Sequence, residues 1–128
     1  MTRPLIYNQM VIDSDTRERD RTDRVFHALA ATTRRDILRR AMEGEHSVSA
    51  LARAYPMSFA AVQKHVAVLE EAGLVTKRRR GREQLVSGDV QAIREAGRAL
   101  EQLEALWRAR IDRFGEILAE EPTEETNR

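Results

Sequence analysis

At 128 residues, with 41% hydrophobic and 34% charged side chains, the chain suits one compact domain with one extra element left over for assembly. Aromatics at only 5% point to a helical core of Leu, Val, Ile and Ala. The lack of cysteine excludes disulfides, zinc ribbons and thiol catalysis, and the apolar runs are too short for a bilayer-spanning helix.

The formal net charge of +1 conceals a separation. Lys77-Arg78-Arg79-Arg80-Gly81-Arg82 is a basic block, whereas Glu120-Glu121-Pro122-Thr123-Glu124-Glu125 is acidic. One surface therefore suits a polyanion. With no signal-peptide core at the start, the expected location is the cytoplasm.

Residues 1–21 are expected to form an arm or short helix that aids dimerisation. Leu5-Ile6-Tyr7 and Met10-Val11-Ile12 are apolar, and the alternating charges of residues 13–24 suit an exposed connection or a solvated first turn. A domain is expected over 22–88. Its first helix turns Val25, Phe26 and Leu29 inward. Thr32 is the expected cap of the next helix, with Ile37, Leu38, Ala41 and Met42 buried and Gly44 ending it in a left-handed conformation. Arg34, Arg35, Arg39 and Arg40 are expected on a solvated face.

Ser47 caps a short helix with Val48, Leu51, Ala52 and Tyr55 on one face, and Pro56 stops it. Ser58 caps a third helix to about Ala72, closed by Gly73. Two helices joined by so tight a turn make a helix-turn-helix. Residues 74–87 then change to the period of strands around a turn near Arg80-Gly81, giving a hairpin, or wing. The fold class is thus mainly α with a small β-hairpin: a winged helix-turn-helix with a long C-terminal dimerisation helix.

That last helix is expected over 89–121, opened by Asp89 and stopped by Pro122, with a disordered acidic tail over 122–128. Ile93, Leu100, Trp107 and Phe114 recur every seven residues, and Leu103, Leu106, Ile111 and Leu118 widen the stripe. A helix so long overruns its domain, and a second copy is the simplest partner for its apolar side. The expected dimer interface is Ile93, Leu100, Leu103, Trp107, Ile111, Phe114 and Leu118.

On the third helix Val62, Val66 and Leu69 must face the core, which turns Ala60, Gln63, Lys64 and Ala67 outward. Ala60 and Ala67 let a helix lie deep in a major groove. Gln63 offers an amide to adenine, and Lys64 reaches guanine or phosphate. Ser58 adds a hydroxyl and free backbone N–H groups for a phosphate. His65 lies at the border, as either a structural histidine or a phosphate contact. Lys77, Arg78, Arg79, Arg80 and Arg82 supply the wing with positive charge for the DNA backbone or a narrow minor groove.

The stretches Val25-Phe26-His27-Ala28-Leu29-Ala30, Thr33-Arg34-Arg35-Asp36-Ile37-Leu38, Val48-Ser49-Ala50-Leu51-Ala52, residues 57–66 and residues 69–75 closely resemble the ArsR-type winged-helix repressors. The likeness covers about residues 20–120, and Asn8-Gln9-Met10-Val11 is similar to one branch. It implies homodimers, joined through the first and last helices, that repress from inverted-repeat operators. Metal-sensing members carry cysteines near the position of Val48-Ser49-Ala50, or Asp/His and His/Glu sets on the last helix. Here Ser49 is no soft-metal ligand and the last helix lacks histidine, so the metal switch is not carried over. Gln63 also stands where that branch usually has serine.

His27, His46 and His65 are the three histidines, and Glu43, Glu45 and His46 cluster at a loop, but at no strong metal spacing. No phosphate loop, nucleophile–base pair or carboxylate dyad suggests an enzyme. The expectation is therefore no cofactor, no membrane, double-stranded operator DNA as partner, and an unidentified effector. A rival reading is a winged helix used for protein contact or for nonspecific architectural DNA binding.

Overall fold

The computed structural model describes the backbone of residues 2–126 and the side chains of residues 16–119. Helix α1 (Thr2–Leu29) leads to α2 (Thr32–Glu43), strand β1 (His46–Ser47), α3 (Val48–Arg53), α4 (Phe59–Glu71), β2 (Val75–Arg80), β3 (Glu83–Gly88) and α5 (Val90–Thr126). The strands form one antiparallel sheet in the order β1-β3-β2. The chain divides into two compact units, 1–96 and 97–128.

The first unit is built around Ile37 and Leu38 of α2, Val48 and Leu51 of α3, Val62, Val66 and Leu69 of α4, and Leu74, Val75 and Val86 of the wing. The i, i+4, i+7 spacing of Val62, Val66 and Leu69 buries them nearly completely. Val25 and Ala28 of α1 join them, as do Ala92 and Ala96. The opening turns of α5 therefore belong to this unit, which ends at Ala96 rather than at 88. Ile93, expected at a dimer interface, is partly buried against this core within one chain.

Several local expectations change. Residues 2–29 form one helix, because no Gly or Pro interrupts residues 5–29 and alternating charges are compatible with a solvated helix. The boundary at residue 21 thus falls inside α1, while the side chains of the Leu5–Ile12 patch lie outside the described residues. Phe26 and Met42 are exposed, and Ala28 takes the inward place expected of Phe26. Ala31, not Thr32, is the N-cap of α2 and makes no side-chain cap. Gly44 is extended at φ 173°, so α2 ends without a left-handed residue. Helix α5 continues through Pro122 to Thr126, so the expected tail is helical there, and residues 127–128 lie outside the described ones. Proline removes one N–H and weakens a helix, but the flanking glutamates are good helix formers.

The expected solvated arginines of α2 tie the helices together. Arg34 donates from Nε to the carbonyl of Ala28 at 2.8 Å and from Nη2 to that of His27 at 3.0 Å. Arg35 reaches the Leu29 carbonyl at 2.6 Å. Both satisfy carbonyls in the last turn of α1, where a cation also suits the helix dipole. Arg39 and Arg40 flank Asp36, donating at 2.9 and 3.1 Å, and the Tyr55 hydroxyl donates to the same carboxylate at 2.5 Å.

This cluster links α2 to the residues after α3. The Tyr55 hydroxyl and the two guanidiniums hold the Asp36 carboxyl well below the usual carboxylate range. Partial burial and the neighbouring carboxylate push Tyr55 up to about 12. The depressed Asp36 stabilises the fold above its ordinary value near 4, and that contribution is lost as pH falls through the depressed value. The raised Tyr55 contributes fully below its ordinary value of 10.0 and is lost as pH rises through about 12. Tyr55→Phe should cost about 1–2 kcal/mol at pH 7. It should also remove this alkaline limb. Urea titrations from pH 2 to 11 check both, and an unchanged midpoint at pH 7 refutes the role.

Candidate nucleic-acid interface

The turn between α3 and α4 is fixed at both ends by serine. Ser47 Oγ accepts from the Ala50 N–H at 3.0 Å, and Ser58 Oγ accepts from the Ala61 N–H at 3.1 Å. Each satisfies an otherwise orphaned donor of a first helical turn. Pro56 lies between them, spanned by a 2.9 Å bond from the Met57 N–H to the Tyr55 carbonyl. Helix α3 ends at Arg53, slightly before the proline, and α4 starts at Phe59.

At its far end α4 closes in a Schellman motif. The Gly73 N–H bonds to the Glu70 carbonyl, and the Leu74 N–H to the Leu69 carbonyl, both at 3.0 Å. Gly73 adopts φ 76°, a left-handed conformation that glycine reaches without a Cβ penalty. Leu74 is then fully buried and launches β2 directly from the helix. This geometry sets where the wing begins relative to α4.

Ala60, Gln63 and Lys64 are exposed on α4, and Ala67 is half-buried. Val62, Val66 and Leu69 face the other way into the core. Gln63 and Lys64 have no side-chain hydrogen bond or ion pair with the described residues, so both are available to a ligand. Ser58 is exposed, with its oxygen occupied by the cap and its hydroxyl proton free to donate.

His65 is half-buried, with Nδ1 3.4 Å from Arg34 Nη1. A guanidinium only donates, so Nδ1 is the acceptor and the ring proton sits on Nε2. The structural role is therefore present, joining α4 to α2. Nε2–H is left as a donor.

The wing pairs β2 with β3 over a two-residue loop, Gly81-Arg82, with Arg80 opposite Glu83. Gly81 has φ 61°, as such tight hairpin loops require. Thr76 and Ser87 join their hydroxyls across the strands at 3.1 Å. The third strand, β1, pairs His46 with Val86 and Ser47 with Leu85. A two-residue strand has no periodicity to detect, and sequence reasoning missed it.

The five basic wing residues are not equivalent. Arg78 grips Glu45 with two bonds of 2.9 and 2.8 Å, which holds the Glu45 carboxyl below its usual range. Lys77 pairs with Glu70 of α4 at 3.2 Å. Arg79 Nε donates to the Gly81 carbonyl at 3.3 Å, within the turn. Arg80 and Arg82 make no side-chain hydrogen bond or ion pair with the described residues. The expected uniform basic loop is thus two neutralised anchors at its base and a cationic tip. Only the fold could show this, because Glu45 lies 33 residues before Arg78.

One exposed side chain of α4 escaped sequence reasoning. Phe59, its first residue, is 48% exposed. Its place one turn before Gln63 was the available signal.

In the second unit, Leu100, Leu103, Leu106, Trp107, Ile111, Phe114, Ile117 and Leu118 are all at least half exposed. Arg110 lies over the Trp107 ring at 5.9 Å, and Arg108 pairs with Glu104 at 2.7 Å. The six interface residues expected between Leu100 and Leu118 are therefore all uncovered within one chain.

A helix-turn-helix domain family matches residues 29–78, the stretch from the end of α1 into the wing. An ArsR-like transcriptional regulator from Rhodococcus sp. RHA1 is 32% identical, with TM-score 0.67, covering 77% of this chain and 92% of that one. The homodimeric winged helix-turn-helix DNA-binding domain of Mb0332 from Mycobacterium bovis is 31% identical, with TM-score 0.56, covering 78% and 86%. The transcriptional regulator Rv2034 of Mycobacterium tuberculosis is 46% identical over 59 residues, which span 46% of this chain and 55% of that protein. With the fold, the helix-turn-helix and relatives that match over most of their own length, the chain belongs to the ArsR family of winged helix-turn-helix transcriptional regulators.

Proposed function

We propose that the protein is a homodimeric repressor that binds an inverted-repeat DNA operator without a metal switch. The observation that carries this reading is the unpartnered face of α4, Gln63 and Lys64, in the same unit as a wing with a cationic tip. A major groove accepts an α-helix, Gln63 suits adenine, Lys64 suits guanine or phosphate, and Arg80 and Arg82 suit the DNA backbone. Ser58 and His65 supply donors for phosphates at the edge of the groove.

Dimerisation is supported by the apolar stripe of the second unit and by the homodimeric state of the Mb0332 domain. A twofold pair of reading heads calls for half-sites about one helical turn, roughly 34 Å, apart. The metal-independent reading is supported by the lack of cysteine and by the arginines that occupy the loop carboxylates. Arg39 holds Glu43 at 2.8 Å, and Arg78 holds Glu45.

Selection of duplexes from a random library tests the proposal. The expected consensus is twofold symmetric and retained against competitor DNA at physiological salt, and transcription from a promoter carrying it falls when protein is added. A protein-contact module or an architectural DNA binder would enrich no consensus. Either outcome would sink the reading.

A further inference from the structure

We propose that Phe59 is a specificity residue that contacts the C5-methyl group of a thymine next to the base pair read by Gln63. This rests on the DNA-binding function proposed above and adds a base contact to it. Phe59 opens α4, where the Ser58 cap fixes the first turn, and is 48% exposed. The partly buried hydrophobics packed on the core include Tyr55 and Met57 just before it, but not Phe59 itself. A large apolar ring thus stands half in water within a face otherwise made of small, polar and cationic side chains, Ala60, Gln63 and Lys64.

The spacing and the surrounding charge decide the occupant. Phe59 and Gln63 are one turn apart and share an edge of the helix. Glu70 follows on that edge three turns after Phe59 and holds Lys77 of the wing, so the edge faces the wing side of the unit. Lys64 on α4 and Arg80 and Arg82 at the wing tip are exposed cations of the same unit, a charge suited to a polyanion rather than to an apolar protein surface. On the major-groove edges of the four bases the thymine methyl is the apolar group, and phenylalanine is a side chain that packs on it. Gln63 on an adenine and Phe59 on a neighbouring thymine methyl would together select an A/T-containing step in each half-site.

The test uses the full chain and the duplex enriched by selection, with each thymine replaced in turn by uracil to delete only the methyl group. For wild-type protein one symmetry-related pair of positions should lose affinity, about fourfold per half-site, the scale of one buried methyl. Phe59→Ala should lose at least as much on the parent duplex and nothing more on that uracil duplex, whereas Phe59→Leu keeps most of the affinity. Because Phe59 lies outside the core, the melting temperature of Phe59→Ala should stay near that of wild type, which separates a contact from a folding defect. The proposal is overturned if every uracil duplex binds wild type like the parent, if the consensus lacks thymine, or if Phe59→Ala keeps its uracil sensitivity. Failure to enrich any duplex would instead defeat the DNA-reading function as a whole, and this inference with it.

Discussion

Replacing Leu103 and Trp107 together by glutamate should convert a micromolar dimer into a monomer and abolish specific operator binding. Both side chains lie on the second unit, 65% and 58% exposed within one chain. Burying a side chain of this size contributes about 1.5–3 kcal/mol, and a twofold interface counts each position twice. Loss of both is therefore worth on the order of 6–12 kcal/mol before any cost of burying the new carboxylates. That exceeds the margin of most dimers. The first unit should keep its melting transition, because its core contains neither residue. Sedimentation of wild type and variant at 1–10 μM (about the working range of the method) checks the oligomeric state. A wild-type monomer, or a variant that remains dimeric, refutes the assignment of this stripe to self-association.

The second large effect is expected at the tip of the wing. Arg80→Ala with Arg82→Ala should weaken operator binding by about one to two orders of magnitude near 150 mM salt. Each phosphate neutralised contributes about 0.9 to the slope of log affinity against log salt. A dimer carries two wings, so the slope should flatten by about 3 to 4 if both arginines contact phosphate. Sequence preference among selected duplexes should change little, since phosphate contacts position the protein without reading bases. Arg78→Ala makes a useful contrast. Its guanidinium already holds Glu45, so its removal leaves that carboxylate unpaired and should change the salt slope less than loss of the tip arginines. Affinities measured across a salt series decide between the two classes. An unchanged slope for the tip variant would remove Arg80 and Arg82 from the interface.

The difference between Arg78 and Arg80 illustrates how much of the site was legible. The basic block is visible in the primary structure, and its hairpin follows from the change of period after Gly73 and the glycine at the turn. Which charges are free is not visible there, because the neutralising carboxylates come from Glu45 and Glu70, distant in sequence. The arginines of α2 make the same point. Their exposed pattern looks like a solvated face, yet Arg34 and Arg35 satisfy the last carbonyls of α1.

Local signals along the chain are enough to specify the helix-turn-helix and the face it presents. Ser47, Pro56, Ser58 and Gly73 are local signals that act within a turn or two, and periodic apolar positions such as Val62, Val66 and Leu69 decide which way a helix rolls. Tertiary structure decided what those signals do not encode. It drew Ile93 into the first unit, turned Phe26 and Met42 outward, and added β1 through its pairing with β3. It also separated anchoring from free charges on the wing. Contacts between segments far apart in the chain depend on shape and distance after packing, and no local pattern specifies them. For the wing this turns a run of basic residues into a braced hairpin whose tip, Arg80 and Arg82, makes no side-chain hydrogen bond or close ion pair among the described residues.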